Sequence, residues 1–87
     1  MTWKLEFSKR AQKDAAKVKK SSYGKNVSQL LDILEKNPFQ IPPPYEKLEP
    51  PTDNSYSRKI NGQHRLTYKV YKEEKVVKVL SMWTHYE

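Results

Sequence analysis

Eighty-seven residues leave room for one domain spanning 1–87 with a single thin core, since a chain this short buries only about 60–65% of its unfolded surface. The absence of cysteine excludes disulfide scaffolds, thiol chemistry and thiolate metal sites; two histidines do not make a usual zinc site, so neither metal nor cofactor is expected. No run approaches the roughly 18–20 apolar residues of a membrane span and no signal-peptide pattern follows Met1, so a cytoplasmic protein is expected.

Seventeen Lys and Arg against ten Asp and Glu give a net charge of +7. The excess is concentrated at the start, where Lys4, Lys9, Arg10, Lys13, Lys17, Lys19, Lys20 and Lys25 face only Glu6 and Asp14. A field this one-sided attracts nucleic acid or an acidic partner; the alternative is a solvated helix face.

Residues 3–7 alternate apolar and polar, which predicts a half-buried strand. Ser8 follows as an N-cap, because its hydroxyl accepts from a first-turn N–H. Ala11, Ala15 and Val18 then recur on one narrow helical stripe with lysines around it. Val27, Leu30, Leu31 and Leu34 make a second, more strongly apolar helix, ended at Asn37 because a residue preceding proline is pushed out of helical geometry. All six prolines fall between Pro38 and Pro51, which predicts an extended, stiff crossover loop.

Two strands follow, at 56–60 and 63–71, separated by Asn61-Gly62, the strongest short hairpin signal. Leu66, Tyr68 and Val70 share one face; Arg65, Thr67, Lys69 and Tyr71 share the other. Lys72-Glu73-Glu74 turns into a last strand over 75–83, apolar on both faces and therefore expected to be central. The order predicts an α+β fold, two helices on one face of a four-stranded antiparallel sheet.

A two-residue turn sets Arg58 directly opposite Arg65; a turn one residue longer sets Lys59 there instead. Either pairing opposes like charges, tolerated most readily around an anion such as phosphate, or else the side chains splay into solvent. His85 extends the last strand, whereas His64 points away from Arg65 and packs. Glu46 lies in the proline-bounded loop, and nothing local selects it over Glu49. A carboxylate, a histidine and a pair of arginines are sufficient to cut RNA without metal through its own 2′-hydroxyl, although spacing alone does not show that they converge.

Tyr45-Glu46-Lys47-Leu48, Tyr56-Ser57-Arg58-Lys59-Ile60, His64-Arg65-Leu66-Thr67-Tyr68 and the closing His85-Tyr86 together resemble the RelE superfamily of bacterial toxins, and within it the YoeB/Txe group. The resemblance implies a type II toxin that inhibits translation as a ribosome-dependent, metal-independent messenger-RNA endoribonuclease, neutralised by a YefM-like antitoxin. By that resemblance Glu46 is the general base, His85 the general acid, Arg65 the phosphate stabiliser and Tyr86 an orienting group. Arg58, Lys59 and Lys47 assist in holding RNA. Lys9, Arg10, Lys13, Lys17 and Lys20 are expected to hold ribosomal RNA at the 30S decoding site. Glu49 stands where the group commonly has lysine, and Glu87 follows the closing pair. A gyrase inhibitor of the ParE branch and a basic RNA-binding module are the alternatives, and a homodimer is left open.

Overall fold

A computed structural model describes residues 2–49, 53–61 and 64–83. The elements are β1 (Lys4–Phe7), α1 (Lys9–Lys19), α2 (Gly24–Lys36), β2 (Glu46–Lys47), β3 (Ser55–Lys59), β4 (Arg65–Tyr71) and β5 (Val76–Ser81). They form an α+β fold on a five-stranded sheet of order β1-β5-β4-β3-β2. The meander β3-β4-β5 is antiparallel and β5 is internal, as the sequence predicts.

The sheet departs from the expected four antiparallel strands in two ways. First, β1 pairs parallel with β5, Leu5 opposite Val77 and Phe7 opposite Val79. Second, Glu46 and Lys47 add an edge strand to β3, Glu46 opposite Ser57. The last of the three consecutive prolines, Pro44, precedes this pair, so backbone N–H groups are available again to form a ladder; the Leu48 N–H continues it onto the Ser55 carbonyl at 2.9 Å.

Both helices pack on one face of this sheet. Ala11 and Val18 of α1 and Val27, Leu30 and Leu34 of α2 are buried against Leu66, Tyr68, Val70, Val77 and Val79. The five sheet residues are fully buried, and each such aliphatic or aromatic side chain contributes about 1.5–3 kcal/mol. Ser8 caps α1 as predicted: its Oγ accepts the Ala11 N–H at 3.0 Å and donates to the Leu80 carbonyl at 2.8 Å. One turn further on, buried Asp14 accepts the Met82 N–H at 3.0 Å. The Ser8 cap and Asp14 of α1 thus pin the helix to the end of β5. Helix α2 ends at Asn37, whose backbone is extended as a pre-proline residue requires.

Before β2, residues 38–45 of the proline-rich segment do not run extended. The segment folds back so that the carbonyls of Pro38, Gln40 and Pro43 converge on the Arg58 guanidinium. Phe39 and Tyr45 lock it to the sheet by edge-on contacts with Tyr56, centroids 5.4 and 5.5 Å away, and Tyr56 stacks on Tyr68 at 5.8 Å. No helix among the described residues is long and apolar enough to cross a membrane.

Candidate active site

Strand alternation puts every second residue on the face that the helices leave open. Across β2, β3 and β4 these include Glu46, Ser57, Lys59, Arg65 and Thr67, in the pairs Glu46–Ser57, Ser57–Thr67 and Lys59–Arg65. The longer of the two anticipated turns is the one formed. Lys59 is opposite Arg65, Ile60 donates to the His64 carbonyl at 2.9 Å, and the Asn61 side chain accepts the His64 N–H at 2.6 Å.

These groups border a cleft of about 260 Å³ walled by Pro43, Pro44 and Tyr45 and lined by Glu46, Ser57, Lys59 and Arg65. Glu46 and Arg65 form an ion pair at 3.3 Å, with side chains 64% and 46% exposed. An exposed pair of this kind contributes little to stability and is readily opened by a competing anion. Lys59 stands beside this pair, and among the described residues it makes no ion pair. Ser57 Oγ lies buried in its floor without a hydrogen-bond partner. The arrangement supplies a carboxylate that can take a proton and two cations that can stabilise negative charge, all reachable from solvent.

Arg58 was expected to reach RNA and does not. Its side chain is 1% exposed and points into the helix-side core. Nε donates to the Tyr68 hydroxyl at 3.2 Å, Nη1 to the Pro43 carbonyl at 2.6 Å, and Nη2 to the carbonyls of Pro38 and Gln40 at 2.8 and 3.0 Å. The Tyr45 ring lies 5.1 Å from the guanidinium carbon. The arginine therefore anchors the bend that presents Glu46, a task that its place in a basic motif did not signal. Lys47 is exposed but follows Glu46 in the strand, projects to the other side, and does not line the cleft.

Lys9, Arg10, Lys13, Lys17 and Lys20 are exposed along α1 and its C-cap, on the helix-bearing side of the sheet and away from the cleft. His85 and Tyr86 lie outside the described residues. His64 is buried, its ring stacked on that of Trp83 with centroids 3.9 Å apart and Tyr23 beside both. Ser81 is opposite Thr67, so β5 runs out at the end of the sheet that carries Arg65.

The family model described as YoeB-like toxin of bacterial type II toxin-antitoxin system matches residues 7–86. The chain is similar to the toxin in a YoeB–YefM complex from Staphylococcus aureus, at 29% identity over 97% of this chain and 98% of that one, TM-score 0.80. The same organism's YoeB dimer gives the same identity, coverage and score. A YoeB/ParE toxin from Agrobacterium tumefaciens shares the fold at 21% identity over 95% and 99% of the chains, TM-score 0.83. No curated protein matches the chain. With nearly its whole length covered by one family model, the chain belongs to the YoeB-like toxins of bacterial type II toxin–antitoxin systems.

Proposed function

We propose that this chain inhibits translation as a messenger-RNA endoribonuclease that works on the ribosome. The observation that carries the reading is the exposed Glu46–Arg65 ion pair at the mouth of the cleft, with Lys59 beside it. A phosphodiester entering the cleft competes for Arg65 and releases Glu46. The freed carboxylate takes the proton of the adjacent ribose 2′-hydroxyl, whose oxygen attacks phosphorus. The bond to the 5′-oxygen breaks, and that oxygen takes its proton from His85. Arg65 and Lys59 stabilise the charge on the equatorial oxygens, and Tyr86 orients the strand. The products are a 2′,3′-cyclic phosphate and a 5′-hydroxyl end, and only RNA supplies the internal nucleophile.

The lysines of α1 hold ribosomal RNA while the opposite face of the sheet meets the messenger, so ribosome binding supplies the alignment. A YefM-like antitoxin neutralises the protein by covering this basic surface. The test is to induce the chain and map 5′-ends on translated messages, with Glu46→Gln as the control. Codon-phased 5′-hydroxyl ends that disappear in the variant are expected. DNA breaks without new RNA ends would replace this reading by gyrase inhibition.

A further inference from the structure

Lys69 and Lys78 stand directly opposite each other across β4 and β5, on the face of the sheet that carries the cleft. Like charges so placed are unfavourable in a ladder. The same face already holds a second such pair, Lys59 opposite Arg65. Between the two lies a row of hydroxyl side chains, with Thr67 opposite both Ser57 and Ser81. Along β4 the open face therefore reads cation, hydroxyl, cation and then Tyr71, over whose ring the Lys69 ammonium sits at 5.6 Å. That contact holds the head group in place above the sheet. Among the described residues, Glu46 and Glu6 are the carboxylates that border the strip. Glu46 is engaged by Arg65, and Glu6, next to Lys78 in the β1–β5 register, makes no ion pair with it.

We infer that Lys69 and Lys78 grip a second phosphate of the RNA backbone, along the strand from the phosphate held at Arg65. Four residues of strand separate Arg65 from Lys69, about 13 Å at 3.3 Å per residue. That distance is far larger than one phosphate group, so the two cation pairs meet different phosphates, with the hydroxyl row beneath the backbone between them. The inference rests on the reading of this chain as acting on RNA and extends its site from the cleft across the sheet.

A short 2′-O-methylated oligouridylate, which lacks the internal nucleophile, serves as the probe. Its affinity is measured against salt concentration for the wild type, for Lys69→Gln/Lys78→Gln, and for Lys25→Gln/Lys36→Gln on exposed positions of α2. Loss of one phosphate contact lowers the slope of log K against log salt by about 0.7–1 in the first variant, with no change in the second. A parallel series uses vacant ribosomes. A lower slope with the oligonucleotide assigns the strip to the messenger; a lower slope with ribosomes alone assigns it to ribosomal RNA. An unchanged slope with both, or an equal fall in the α2 variant, overturns the inference. Because the probe cannot be cut, a protein that binds it in this way but cleaves nothing would refute the proposed chemistry and leave the strip intact.

Discussion

Replacing Arg58 by Met tests whether this arginine is structural. The substitution keeps approximate length and removes a buried cation that donates to three carbonyls and one hydroxyl. Bonds from a charged donor contribute about 1.5–3 kcal/mol each, but four on one side chain are not independent. The substitution leaves neutral carbonyl acceptors without a donor, at about 1–3 kcal/mol for each that stays buried, so a loss of about 3–5 kcal/mol is expected. A domain of 87 residues has about 4–13 kcal/mol in total, so the variant sits near the edge of folding. At about 4–8 °C per kcal/mol, Tm falls by at least about 12 °C. Tyr68→Phe removes the bond from Arg58 and the one to the Pro38 carbonyl at 3.0 Å, for about 1–3 kcal/mol. The double variant should lose less than the sum of the two, because both act on one network. Urea unfolding of the four proteins measures all of this. A loss below about 1 kcal/mol for Arg58→Met, or full additivity with Tyr68→Phe, would refute the anchoring argument. Arg58→Lys, which keeps the charge but not the fork, should stay folded at low temperature yet cleave more slowly, as the bend bearing Glu46 loosens.

Burial pushes the Tyr68 hydroxyl above its ordinary value of 10.0, with Arg58 pulling it part of the way back. The unfolded chain then gives up this proton first, so the stabilisation is complete below pH 10 and is lost as pH rises through the folded value. Tyr68→Phe should flatten the alkaline limb of urea midpoint against pH; an unchanged limb would contradict it. His85→Gln should lower single-turnover cleavage by about 10²–10⁴ while ribosome binding holds, and near-wild-type cleavage would remove His85 from the mechanism. Arg65→Ala should reduce cleavage rate more than messenger occupancy in quench-flow; a fall in occupancy alone would make it a binding residue. Lys13→Gln/Lys17→Gln/Lys20→Gln should weaken ribosome association and its salt dependence without slowing cleavage at saturation.

Periodicity made the helices, the meander and the buried sets legible. Ala11 and Val18, Leu30 and Leu34, and Leu66, Tyr68 and Val70 are buried where spacing put them. What pattern could not reveal was long-range pairing. Nothing in residues 3–7 distinguishes parallel from antiparallel, because side-chain alternation is the same in both. Glu46–Lys47 is too short to register as a strand. Nothing in the sequence singled out Asp14 as a structural residue, since the Met82 N–H that it accepts is 68 residues away. At the site, Lys59 and Arg65 were legible as a cationic pair. Glu46 was not separable from Glu49 by local chemistry; its partnership with Arg65 depends on β2 pairing with β3.

The hairpin shows why the two arginines part company. Side-chain alternation has a period of two, so one residue more or less in the turn exchanges the faces of one strand relative to the other. A two-residue turn would have set Arg58 and Arg65 on the same side, both toward the helices or both toward solvent. In the register formed, Arg58 instead pairs with Leu66 and falls on the helix side, while Arg65 pairs with Lys59 on the open side. The buried arginine then needs acceptors. A donor-poor proline segment has carbonyls to spare, and three of them turn inward to meet it. That inward turn brings the following residues alongside β3 and leaves Glu46 within 3.3 Å of Arg65. The length of one turn thus commits one arginine to shaping the bend and the other to the carboxylate that the bend delivers.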